Sequence, residues 1–368
     1  MLQLRNHYRK VLVSNRKERV QFINYLNIIA CFAVICLHCS QLCFRPENSA
    51  SWYYSVFMQS AFVFAVPIFF MISGANLLAY DQRYSTATFF KKRFKRTFGA
   101  LLIGSSIVYI LTCICPNAFS RAPRVFSLID FLDLFMTNQI ELIYWFFYIV
   151  LAIYLFTPIL SHLASSKSKL GYAIIFFFSV STLIPTISRY IPSFEYIQSL
   201  FGTQSLTGGI AFYLIGYYVC NYLTPPKKKA CFGIFLSCVA LMFFTTIAIN
   251  VDAIKQPNIP YDGFYTNAFS VFSFLGSTAL FVLFKSLEPQ LEKTPNKIKS
   301  IVEKLSSASL GVYLIHLLVM DFIATIAPHP WWISMTIEPV PVYIISVAIV
   351  LTTQFLTHLL KSTRKVKR

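Results

Sequence analysis

Phe22-Ile-Asn-Tyr-Leu-Asn-Ile-Ile-Ala-Cys-Phe-Ala-Val-Ile-Cys-Leu-His-Cys-Ser-Gln41 is the first long apolar run of the chain. Its length suits one crossing of a bilayer, which takes about 20 predominantly apolar residues. It nevertheless carries asparagine and histidine, which a lipid-facing helix avoids. At about 100° per residue, Asn27 and His38 lie within roughly 20° of each other around the helix axis. Along the axis they stand ~16 Å apart at about 1.5 Å per residue. Asn24, Cys31 and Gln41 fall close to the same side. Polar groups at membrane depth are costly, so by default such a stripe faces a cavity and suggests function. His38 is the first candidate for chemistry.

The rest of the chain repeats the apolar theme. Of 368 residues, 56% are hydrophobic and only 12% charged, against about 25% charged in a soluble domain. Runs long enough to span a bilayer recur from end to end, which predicts an all-α, polytopic bundle of transmembrane helices. Charge is scarce inside the runs, which excludes the alternating pattern of a β-barrel. The net charge of +18 does not mark a nucleic-acid binder, because no reading motif accompanies it and the basic residues gather between alternate runs.

Ten spans are predicted, at about 22–44, 54–79, 98–116, 142–164, 171–187, 206–224, 230–250, 266–287, 304–327 and 340–360. Lys and Arg outside them alternate strongly, with 27 in one set of compartments and five in the other. The basic side is expected to be cytoplasmic, which places both termini there. The chain divides into a basic tail (1–21), a membrane domain (22–360) and a second basic tail (361–368). The first span is too long for a signal peptide's apolar region and no small-residue cleavage site follows, so it is expected to stay as an anchor. No separate soluble domain is expected, the longest loop lying around 117–141, and Pro67 and Pro158 are expected to kink their spans.

Several residues could carry chemistry. His316 lies in a later outward-running span at a depth similar to His38, and neutral imidazole can act as a general base near neutral pH. Asp321 follows it and could orient a histidine or cap an outer cavity. The loop from Arg83 to Arg96 is denser in charge than orientation needs. It can meet anionic headgroups or clamp phosphate through arginine. Ser73-Gly74 is small enough for close approach of a ligand or another helix. Glu141 and Tyr144-Trp145 open the fourth span, the aromatic pair fitting a membrane belt or a sugar-stacking surface. Cys36, His38, Cys39 and Cys43 invite a metal reading, but His38 points away from the face the cysteines share, and no metal is expected.

Taken together these segments resemble the acyltransferase 3 family of integral membrane acyltransferases. The likeness covers most of the chain in order: Ile23 to His38, Val66-Pro-Ile-Phe-Phe-Met-Ile-Ser-Gly74, Phe90-Lys-Lys-Arg93-Phe-Lys-Arg96, Tyr144-Trp-Phe-Phe with Tyr154 and Pro158, and Ser309-Leu-Gly-Val-Tyr-Leu-Ile-His316. The resemblance implies transfer of an acyl group, usually acetyl, from cytoplasmic acyl-CoA to a hydroxyl of an envelope glycan, in a bacterial inner membrane. It implies His38 as the catalytic residue, with Arg93 and Arg96 holding CoA and Ser73 and Lys92 beside them. Asn24, Asn27, Trp145, Tyr313 and His316 would contact substrate. One departure stands out: the family's D-x-x-R, eleven residues before the histidine, is replaced here, with Asn24 and Asn27 at the charged places and Ile28 after them. A transporter of an envelope polysaccharide or lipid-linked sugar is the alternative, using the polar cavity as a path without CoA.

Overall fold

The computed structural model describes residues 20–256 and 258–366. The basic tail at 1–21 therefore lies almost wholly outside the described residues, as do 367–368 of the second tail.

Helices make up most of the described residues, with no strand among them. The principal ones are α1 (Gln21–Cys39), α2 (Ala50–Phe62), α3 (Ala65–Leu77), α4 (Thr86–Ile114), α5 (Leu128–Met136), α6 (Trp145–Leu160), α7 (Lys167–Phe178), α8 (Gln204–Asn221), α9 (Lys228–Ile249), α10 (Val271–Leu291), α11 (Asn296–Ile326), α12 (Trp331–Thr336) and α13 (Pro339–Val366). Five of them begin on a serine whose hydroxyl accepts from a backbone N–H two or three residues into the helix: Ser49, Ser85, Ser127, Ser166 and Ser270. Such caps satisfy amides that a helix start leaves open, which matters most where little water is at hand.

Among the described residues, nine helices are long and apolar enough to cross a membrane. The tenth expected span, 206–224, is also helical, as α8, but its own composition is less apolar. The reason is its place. Gly208 through Tyr217 are buried without a break, so α8 is surrounded by protein and has no need of a lipid-like surface.

The second expected span is broken in two. Pro67 stands in the first turn of α3, and the helix ends at Phe62, with Val63 and Phe64 between the two pieces. Proline removes the amide that would bond the residue four back, here Val63, and its ring crowds that carbonyl. At Pro158 the helix runs on to Leu160 and then tightens into a 3₁₀ turn over Ser161–Ser165.

Two helix pairs set the interior. α1 and α11 run parallel, with Asn27 on Ser306, Cys31 on Ser309 and Cys39 on Met320. α3 and α8 cross at backbone contact. A Cβ on Gly74 would lie 1.6 Å from the Tyr213 carbonyl oxygen, and one on Gly216 would lie 1.9 Å from that of Met71. Of the two readings of Ser73-Gly74, the glycine therefore serves helix packing.

The expected loop at 117–141 contains a helix that returns along α4. At its start the Tyr109 hydroxyl donates to the Ser127 carbonyl (3.0 Å) and the Asp130 carboxylate (2.8 Å). Near its end Phe135 packs against Phe98, ring centroids 6.0 Å apart. Tyr109 and Phe98 are ~16 Å apart along α4, so α5 descends about half the membrane's depth. Its other side leaves Leu128, Ile129, Leu132 and Met136 exposed, an apolar stripe at helical spacing that suits lipid.

Candidate functional site

The stretch 86–96, expected as a loop, forms the first turns of α4. Helical spacing then sorts its charges. Arg93 and Arg96, three apart, share a face and line a cavity of about 370 Å³ between α1, α3, α4, α6 and α11. Lys92 faces elsewhere and sits over the Tyr84 ring, 4.4 Å from its centroid. Arg83 also lines the cavity, its guanidinium donating to the Asn76 carbonyl in the last turn of α3, where a helix end attracts positive charge.

The cavity changes character along its length. Arg83 and Arg96 are exposed at its wet end. Farther along α3 from Arg83, Ile23, Ile72, Phe147, Val150 and Leu310 make the walls apolar, and Phe69, Phe146 and Tyr313 line it with rings in mutual contact. Three polar groups on these walls are buried without a hydrogen-bond partner: Asn24 Nδ2, Arg93 Nε and Ser309 Oγ. Two can only donate, and the third can do either. An orphaned buried polar group costs about 1–3 kcal/mol, so this set calls for a ligand rich in acceptors.

Ser73 and Asn27 line the same cavity. The Asn27 amide nitrogen donates to the Ser306 carbonyl (2.8 Å) and hydroxyl (3.0 Å). Its donor capacity is thus spent on α11, which leaves its carbonyl oxygen for the cavity, and ~16 Å of helix separates it from His38.

His38 and His316 do not line this cavity; they meet behind these rings. Their ring centroids are 5.3 Å apart, and the Tyr313 ring lies 5.7 Å from His316. His316 Nδ1 sits 2.8 Å from the Tyr313 carbonyl and 3.2 Å from that of Val312, so it must carry the proton. Nε2 is then an acceptor, buried and without a partner. His38 is half-buried, with Nδ1 3.4 Å from the Gln41 amide nitrogen. Two imidazoles this close disfavour a double positive charge, so the neutral pair can take up one further proton, and can take it from a substrate.

Other expected contacts fall away from the pair. Trp145 packs edge-on against Phe146 and Phe269 and does not line the cavity. Asp321 does not orient a histidine: Arg121 bridges it (2.9 Å) to Glu141 (2.7 Å). The network draws the end of α11 to the segments on either side of α5. Burial raises the Glu141 pKa, Arg121 opposing it. On Arg121 burial works downward, but the two carboxylates outweigh it and its pKa is raised. Cys39 belongs to the packing around His316, whereas Cys43 packs with Trp52 and Val56. Among the described residues no three His, Cys, Asp or Glu side chains stand together as a metal site.

Ser309, Phe69 and Phe146 were not singled out as site residues. Ser309 had a legible signal, lying seven residues before His316 and so on the same helical face. The two phenylalanines had none, being two of 37.

No match to the chain was found among curated proteins or among solved structures. Residues 20–358 match the family described as acyltransferase domain, a span that takes in the cavity, the arginine pair, both histidines and every apolar helix around them. The chain belongs to this acyltransferase 3 family, and its own architecture makes it a multi-pass membrane member.

Proposed function

We propose that this protein is a membrane O-acyltransferase that moves an acyl group from cytoplasmic acyl-CoA to a hydroxyl of a cell-envelope glycan. The observation that carries the reading is the cavity: arginines at its wet end, orphaned donors along its walls, and a histidine pair behind its aromatic rings. At 370 Å³ it lies at the small end of ligand pockets (~300–1,000 Å³). It suits the pantetheine arm with its acyl group, whose amide carbonyls answer the donors of Asn24 and Arg93. The nucleotide phosphates stay outside, at Arg83 and Arg96.

In the reaction His38 takes the proton of the acceptor hydroxyl as its oxygen bonds to the thioester carbonyl carbon. The carbon–sulfur bond then breaks and the CoA thiolate leaves, taking up the proton that His38 had gained. His316, with its acceptor nitrogen toward a buried site, shares the proton that His38 gains. The positive-inside pattern supports a donor on the cytoplasmic side and an acceptor arriving from the other, in a bacterial inner membrane. Within the family we place the chain nearest the enterobacterial common antigen O-acetyltransferase, a reading that brings an acetyl donor and a repeating glycan acceptor.

The test is acyl transfer in membranes with His38→Ala and with Arg93→Ala/Arg96→Ala. Loss of a general base costs ~10²–10⁴-fold in rate, and loss of the arginines should weaken acyl-CoA binding. Full activity of the His38 variant at normal expression would remove it from the mechanism. No binding of acyl-CoA to the purified protein would favour transport instead.

A further inference from the structure

We infer that Phe69, Phe146 and Tyr313 form a wall that limits transfer to short acyl groups, with Phe69 as its movable member. The inference rests on the acyltransferase reading above. The three rings close a triangle, with centroids 5.8 Å apart between Phe69 and Phe146, 6.3 Å between Phe69 and Tyr313, and 5.5 Å between Phe146 and Tyr313. Aromatic rings at these separations are in contact, which leaves no room for an acyl chain between them as they stand. All three line the cavity, and one of them, Tyr313, touches His316 on its other side. One layer of rings therefore separates the donor cavity from the histidines.

The three are held unequally. Tyr313 is pinned by its hydroxyl, which donates to the Ile143 carbonyl (2.8 Å), and by the Phe147 ring at 5.4 Å. Phe146 is buried and clamped by Phe70 at 5.0 Å. Phe69 is only partly buried. It borders both the main core and the smaller cluster around His316, and it follows the break between α2 and α3. Turning Phe69 opens a slot about one ring thick without disturbing the other two.

What lies past the slot sets the size limit. Ile35, Cys39, Val312 and Val319 are buried beside the histidines, so the donor side of the pair is packed with apolar side chains. A thioester brought to His38 can carry only the carbons that fit in the slot. An acyl chain of several carbons keeps its carbonyl back in the cavity.

The experiment uses vesicles of the native membrane carrying the full-length protein, with acetyl-, butyryl- and octanoyl-CoA as donors and acyl incorporation as the readout. Wild type is expected to prefer acetyl over butyryl by ~10-fold or more, since one methylene in a fitted pocket is worth ~10–200-fold. Phe69→Ala should cut that ratio by about tenfold, raising butyryl transfer relative to acetyl whatever the change in the rate common to both. Phe69→Leu, which keeps the packing, should fall between and shows that the change is one of size and not of folding. Equal use of octanoyl and acetyl by wild type overturns the inference. So does an unchanged ratio in both variants. Transfer of no acyl group by wild type, with acyl-CoA bound, overturns the functional reading itself.

Discussion

Gly74→Ala tests the packing that sets the shape of the cavity. The added Cβ would stand 1.6 Å from the Tyr213 carbonyl oxygen, where ordinary contact begins at 3.4 Å. The α3 and α8 backbones must part by about 1.8 Å, the difference of those two distances. No side chain can turn to relieve the clash, because the obstructing atom is backbone. Overpacking costs ~1–3 kcal/mol where side chains can adjust, so a rigid crossing puts this substitution at or above about 3 kcal/mol. α3 also carries Ser73, Ile72 and Phe69 into the cavity, so acyl-CoA binding should weaken together with stability. The assay is thermal unfolding of the detergent-solubilised protein beside Gly99→Ala. Gly99 lies on α4 with nothing within 4 Å of its added Cβ, and there alanine should be neutral or stabilise by ~0.5–1 kcal/mol through helix propensity. Equal melting of Gly74→Ala and wild type would refute the close crossing.

Three further outcomes are expected. Arg121→Gln leaves Glu141 and Asp321 without their shared cation. The folded protein then favours a protonated Glu141, so the variant's melting deficit should be small near pH 5 and grow as pH rises through the raised pKa; a deficit independent of pH would argue against the network. His329 donates to the Ala327 carbonyl through Nδ1 (2.7 Å), and its Nε2 lies 3.0 Å from Glu338. Both raise its pKa, the carbonyl bond more, with burial working against them. Its hold on the α12 segment is therefore complete below about pH 6.5, the ordinary histidine value, and is lost as pH rises through the raised one. Fluorescence of Trp331 and Trp332 should change over that range, and His329→Asn should flatten the change. Finally, with α8 as a tenth crossing, a phosphatase fused to the C-terminus should be inactive and a fluorescent protein bright. The reverse would mean an odd number of crossings.

Sequence-level physics reached far where the signal was local. Hydropathy located the apolar helices because lipid demands about 20 such residues in a row, whatever stands beside them. Pro67 foretold a break because its missing amide acts on the residue four back. The stripe on α1 foretold that Asn27 and His38 turn to one side, since helical period is a property of the helix alone.

The sequence was silent where the outcome depends on which helix stands next to which. His38 and His316 lie 278 residues apart, and only the parallel packing of α1 on α11 makes them a pair. The same packing takes up the Asn27 amide on Ser306. Arg93 and Lys92 look alike in the chain, but helix rotation sends one into the cavity and the other onto Tyr84. Gly74 could have met a ligand or a neighbour, and the α3–α8 crossing decided it. Composition and period act over a few turns and are carried by the sequence itself. The pairings that make the site are chosen by side-chain packing across the whole bundle, and that exists only once the chain is folded.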